Sequence, residues 1–130
     1  MAFTYRRIKG QLPHAYERQL ESLRPKQDIS FMRISLSKSG VLTIGAGYVW
    51  DFAYGAFDTK TIIEGSLVHD ALCELIHNDL LSYHQWKNAA EEMRAVCVEA
   101  GMWKLRAAYV ARAIKIAGPS VTVARTYVTV

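Results

Sequence analysis

Apolar and polar positions alternate with a period of two in the first third of the chain and with a period near 3.6 in the rest. That pattern predicts strands followed by helices. Phe3-Thr4-Tyr5-Arg6 alternates. Tyr16, Leu20 and Leu23 fall at i, i+4 and i+7 behind Pro13, a residue suited to a first helical position, so the spacing predicts a short helix over 13–23 that Pro25 ends. Ile29 to Leu36 reads as one strand, with Met32, Ile34 and Leu36 on the dry face and Arg33 and Ser35 on the wet one. Ser37-Lys38-Ser39-Gly40 is turn chemistry, and Val41 to Ile44 returns as the hairpin partner. Gly45-Ala46-Gly47 then permits a bend before Tyr48-Val49-Trp50.

Three helices are expected after that. Thr61-Ile62-Ile63-Glu64 has the form of a capping box, so a helix should start at Ile62 and run to about Asn78. Ser82-Tyr83-His84-Gln85 repeats the device and opens a second helix that stops at Gly101. Its stripe is Trp86, Ala89, Ala90, Met93, Val96, Cys97 and Ala100. A third helix is expected over Met102 to Ala117, ended by Gly118-Pro119. Trp103, Ala107, Val110, Ile114 and Ala117 form one apolar side of it, and Leu105, Tyr109 and Ile116 form another. Such a helix is either wedged between layers or offers one side to a partner.

Ser120 to Val130 is rich in β-branched residues and should be extended, pairing with the N-terminal sheet or with another chain's sheet edge. The expected fold is therefore α+β. A small N-terminal antiparallel sheet packs against a C-terminal bundle of three helices, with an extended C-terminal strand. One domain covers 1–130: strands mainly in 1–50, a loop over 51–61, helices over 62–117 and an extended tail over 118–130.

Composition narrows the class. The chain has 130 residues, 51% of them hydrophobic and 22% charged, which is ordinary globular usage for one domain. Two cysteines are too few for a disulfide framework. No apolar run approaches the roughly 18 residues of a membrane span, and the opening MAFTYRRIKG has no apolar signal core. These features lead to an expectation of a soluble protein without a membrane partner.

Charge is segregated. Residues 1–50 carry +5, residues 51–99 carry −6, and residues 100–130 carry +5 with no acid. Either the three parts neutralise one another across the fold, or an acidic centre attracts a divalent cation while a basic end meets an acidic partner. Lys104, Arg112, Lys115 and Tyr127 are the candidate partner-binding residues. Zinc-finger spacing, basic-region heptads and RNA-binding signatures are absent, so nucleic acid is not an expected ligand. Gly45-Ala46-Gly47 is not a dinucleotide fingerprint, since the third glycine and an immediate helix are missing.

On a wheel at about 100° per residue, Leu67, Val68, Ala71, Leu72, Leu75 and Ile76 occupy one half of the first helix. Ser66, His69, Asp70, Cys73, Glu74 and His77 occupy the other. Every ligand type for a first-row metal is present there. The ordinary reading of such an arc is the solvated polar face of an amphipathic helix. H-E-x-x-H, C-x-x-C and G-x-S-x-G are all absent, and Cys97 lies on the apolar stripe of its helix.

Two runs, KSGVLTIGAGYVWDFAYG and DTKTIIEGSLVHDAL, resemble a family of bacteriophage and prophage proteins, the domain of unknown function 1353 family. Its hallmark is a glycine-aromatic segment ending in Asp, followed by a helix carrying His-Asp. The matching positions are Gly47, Tyr48, Trp50, Asp51 and Ala53, then Gly65, Ser66, Leu67, His69, Asp70 and Leu72. The similarity spans about residues 29–118. Phe52 and Tyr54 stand where the family has small residues, Cys73 stands where it has an aromatic, and Glu91 or Glu92 stands where it has an acid. Two bulky aromatics would narrow a pocket beside Asp51.

The resemblance implies a phage or prophage origin. The unpaired C-terminal strand, the doubly apolar third helix and the departures from the family motif lead to an expectation of a structural, assembly or virion-associated protein in the bacterial cytoplasm or the virion. A protein partner or a homo-oligomer formed through the C-terminal segment is expected. The alternative is a metal-dependent hydrolase. Asp51 ends a strand, and the loop after it can fold back toward His69 and Asp70, which makes these three the candidate catalytic residues. Asp51, His69, Asp70, Glu74 and His77 are the candidate ligands for a divalent metal that activates water. Without a metal, Asp–His contacts would tie sheet to helix. A third reading is a host-factor or nucleic-acid-binding accessory protein.

Overall fold

The structure, a computed structural model, describes residues 6–54 and 59–117, with the side chains at 11–50 and 63–115. The order of elements is β1 (Arg6–Gln11), β2 (Tyr16–Gln19), β3 (Ile29–Phe31), β4 (Ile34–Leu36), β5 (Val41–Ile44) and β6 (Val49–Tyr54), then α1 (Thr59–His77), a 3-10 turn (Tyr83–Gln85), α2 (Trp86–Glu99) and α3 (Lys104–Ala117). The fold is α+β. The expected C-terminal strand over 118–130 lies outside the described residues.

β1 and β6 form an antiparallel pair, with Lys9 opposite Asp51 and Gln11 opposite Val49. The other four strands form an antiparallel sheet in the order β2-β5-β4-β3. Its inner face alternates as half-buried strands do: Ile34, Leu36, Leu42 and Ile44 are buried, while Ser30, Glu17 and Gln19 on the other face are exposed.

Several boundaries differ from the sequence expectation. The segment read as a helix over 13–23 is the strand β2, with Tyr16 opposite Ile44 and Gln19 opposite Val41. Its i, i+4, i+7 spacing arises because Leu20 and Leu23 turn inward just after the strand, where both are buried. An isolated helix of that length is marginal, whereas β5 offers a full ladder. The segment read as one strand over 29–36 is a hairpin. Met32, expected in the core, sits at its tip with φ 53° and is exposed. The clue is a phase change, since the inward residues are Ile29 and then Ile34 and Leu36, a switch from odd to even positions.

The expected loop over 51–61 holds the end of β6 and the start of α1. The helix begins three residues before Ile62, so Thr61 is not its cap, and Glu64 accepts a hydrogen bond from Tyr16 Oη at 2.8 Å. The Ser82 device does open the next helical segment: Ser82 Oγ accepts from His84 N, and Gly101 closes α2 with φ 111°.

Leu20, Leu23, Ile34, Leu36, Leu42 and Ile44 pack with Leu67, Val68, Leu72 and Leu75 of α1, and Ala89 and Val96 of α2 join the same core. A smaller cluster joins Met93 and Cys97 to Met102, Ala107 and Val110. Helix α1 therefore lies between β-structure and α2. Where α1 faces α2 at Gly65, an added Cβ would fall 2.5 Å from Cys97 Sγ and 3.3 Å from the Met93 carbonyl oxygen. Only glycine fits there.

Helix α2 is fastened to the chain that follows β2 by a carboxylate. Glu92 is 1% exposed. Its two oxygens accept from the backbone N–H groups of Glu21, Ser22 and Leu23, each at 2.9 Å, and Ser22 Oγ lies 3.4 Å away. A buried carboxylate is tolerable when hydrogen bonds replace its water. Nearby, Arg18 makes a two-pronged contact with Glu99 at 2.9 and 2.7 Å. Glu99 is mostly exposed, so that pair contributes little, at most about 1 kcal/mol.

Glu92→Ala leaves three inward N–H groups without an acceptor, at about 1–3 kcal/mol each. The expected loss of stability is about 3 kcal/mol or more. Glu91→Ala removes ion pairs near the surface, with Arg94 and Lys115, and should cost about 1 kcal/mol or less. Urea unfolding midpoints of the two variants make the comparison, and near-equal midpoints would refute the assignment. Gly65→Ala should destabilise by about 1–3 kcal/mol through overpacking, although alanine is the better helix former; a raised unfolding midpoint would contradict the close approach.

Candidate functional site

The arc of α1 expected to be a solvated polar face is largely interior. Ser66 and His69 are each 8% exposed and Cys73 is 1% exposed, while Asp70, Glu74 and His77 are half-buried. The reason is β6, which packs against this side of the helix. Trp50 Nε1 donates to Ser66 Oγ at 3.2 Å, and Ser66 Oγ in turn donates to the Ile63 carbonyl at 2.8 Å. Tyr48, at the entry to β6, donates its hydroxyl to Glu74 at 2.9 Å. The helix thus buries apolar residues on one side and polar residues on the other.

His69 is the centre of the polar side. Cys73 Sγ lies 3.5 Å from its Nε2 and 3.9 Å from its Nδ1. Asp70 Oδ1 lies 3.9 Å from Nδ1, a charge contact rather than a hydrogen bond. Burial by itself pushes the His69 imidazole down. The Cys73 sulfur and the Asp70 carboxylate outweigh it and push the imidazole up to about 9. Burial raises Glu74 above the usual carboxylate range; the Tyr48 hydrogen bond opposes that rise and the Asp70 charge adds to it. Burial, and then the Glu74 charge, push the Tyr48 phenol up as well. Five titratable groups from α1 and the β6 entry thus share one largely closed region.

Of the candidate catalytic residues, His69 and Asp70 are neighbours on α1, and β6 carries Asp51 against the same helix. The Asp51 side chain lies outside the described residues, as do those of Phe52 and Tyr54. Among the described residues no three His, Cys, Asp or Glu side chains form a group that could hold a metal ion. His69, Asp70, Glu74 and His77 therefore do not complete a metal centre by themselves. Of the partner-binding candidates, Lys104 and Arg112 are exposed, Lys115 pairs with Glu91, and Tyr127 lies outside the described residues.

Two residues have roles that sequence reasoning left undecided. Glu92 was one of two alternatives for an acid; the structure buries Glu92 and leaves Glu91 toward solvent, paired with Arg94 and Lys115. Its position was informative, because it follows Ala89 by three and precedes Val96 by four, which places it on the buried stripe. Tyr48 appeared as a motif aromatic, but its bond to Glu74 needed the tertiary fold. A shallow groove of about 560 Å³ runs beside Glu92, lined by Glu21, Ala95 and Val98 among others. Its other carboxylates are already engaged: Glu91 with Arg94 and Lys115, Glu92 with backbone N–H groups, and Glu99 with Arg18.

Comparison with protein-family models, with curated proteins and with solved structures finds no match to this chain.

The raised His69 value sets a pH dependence. An imidazole at about 9 in the folded chain and 6.5 when free binds its proton more tightly when folded. That stabilisation is fully present below about pH 6.5 and is lost as pH rises through about 9. Unfolding free energy should fall over that window, on the order of 1–3 kcal/mol. Urea titrations of the parent protein and of His69→Asn at pH 6 and about 9.5 give the difference; an equal pH slope in both would remove the claim.

Proposed function

We propose that this chain is a small structural or assembly protein of the phage and prophage kind its paired motifs resemble, and that His69, Asp70 and Cys73 tie its layers together rather than run a reaction. The observation that carries the reading is the burial of His69 and Cys73 against each other beneath β6, at 8% and 1% exposure. A reacting imidazole or thiol needs a substrate within reach (about 3 Å), whereas a tie needs only its partners. Phe52 and Tyr54, the bulky replacements beside Asp51, point the same way. The site of action is then the surface, in a bacterial cytoplasm or a virion, and the partner is a protein.

The second reading remains a metal-dependent hydrolase using Asp51, His69, Asp70, Glu74 and His77. The observation on its side is that the Asp70 carboxylate stands beside the His69 imidazole, 3.9 Å from Nδ1, on the helix that β6 packs against. Elemental analysis of the purified protein separates the two. The structural reading expects less than a tenth of an equivalent of zinc, manganese or iron, by an order-of-magnitude criterion, and expects His69→Asn to act on stability alone. A stoichiometric metal that His69→Asn removes would decide for the hydrolase.

A further inference from the structure

We draw no further inference here: the strongest candidate, the outward face of α3 where Leu105 and Tyr109 stand in water with Arg112 at their flank, is too small to name its own partner, and nothing in the structure shows what covers it.

Discussion

The arrangement depends on one buried carboxylate. Glu92 reaches from the middle of α2 into the turn after β2 and accepts three backbone hydrogen bonds there. The turn has no helix or ladder to satisfy those N–H groups, and the carboxylate has no water, so each makes the other possible. Through this contact Leu20 and Leu23 point into the core, and α2 is set in place over α1. The neighbouring ties, Arg18 to Glu99 and Tyr16 to Glu64, are exposed and add far less.

Placing α2 on one side of α1 and β6 on the other leaves α1 little contact with water. An amphipathic helix in that position has to bury its polar side as well, and the groups there must satisfy one another. Ser66 with Trp50, Cys73 with His69, and Glu74 with Tyr48 do so pairwise. The same closeness moves their proton affinities: His69 rises because a sulfur and a carboxylate face it, and Glu74 rises because water is kept away. A cluster that looks catalytic when written on a wheel is also what such a sandwiched helix requires for stability. At the surface, α3 leaves Leu105 and Tyr109 in water on the side away from buried Ala107 and Val110.

Much of the fold was legible in the chain. The change from period two to period 3.6 marks the boundary between strands and helices, and the turn at Ser37–Gly40, the Ser82 device and Gly101 lie where local chemistry puts them. The failures have local causes. The segment after Pro13 carries helical spacing but lies beside an open edge of β5, and the ladder wins. The chain at Met32 changes alternation phase, a signal that a single continuous strand cannot accommodate.

The sequence by itself determined the α+β class, the three helices and the side-by-side placing of His69 and Asp70, because each follows from period, capping or spacing along one element. Only the tertiary structure decided that Glu92 rather than Glu91 is the interior acid, that the polar arc of α1 is covered, and which apolar side of α3 faces water. Those outcomes depend on which neighbour lies against each face, and a face's neighbour is a long-range property that local periodicity does not encode.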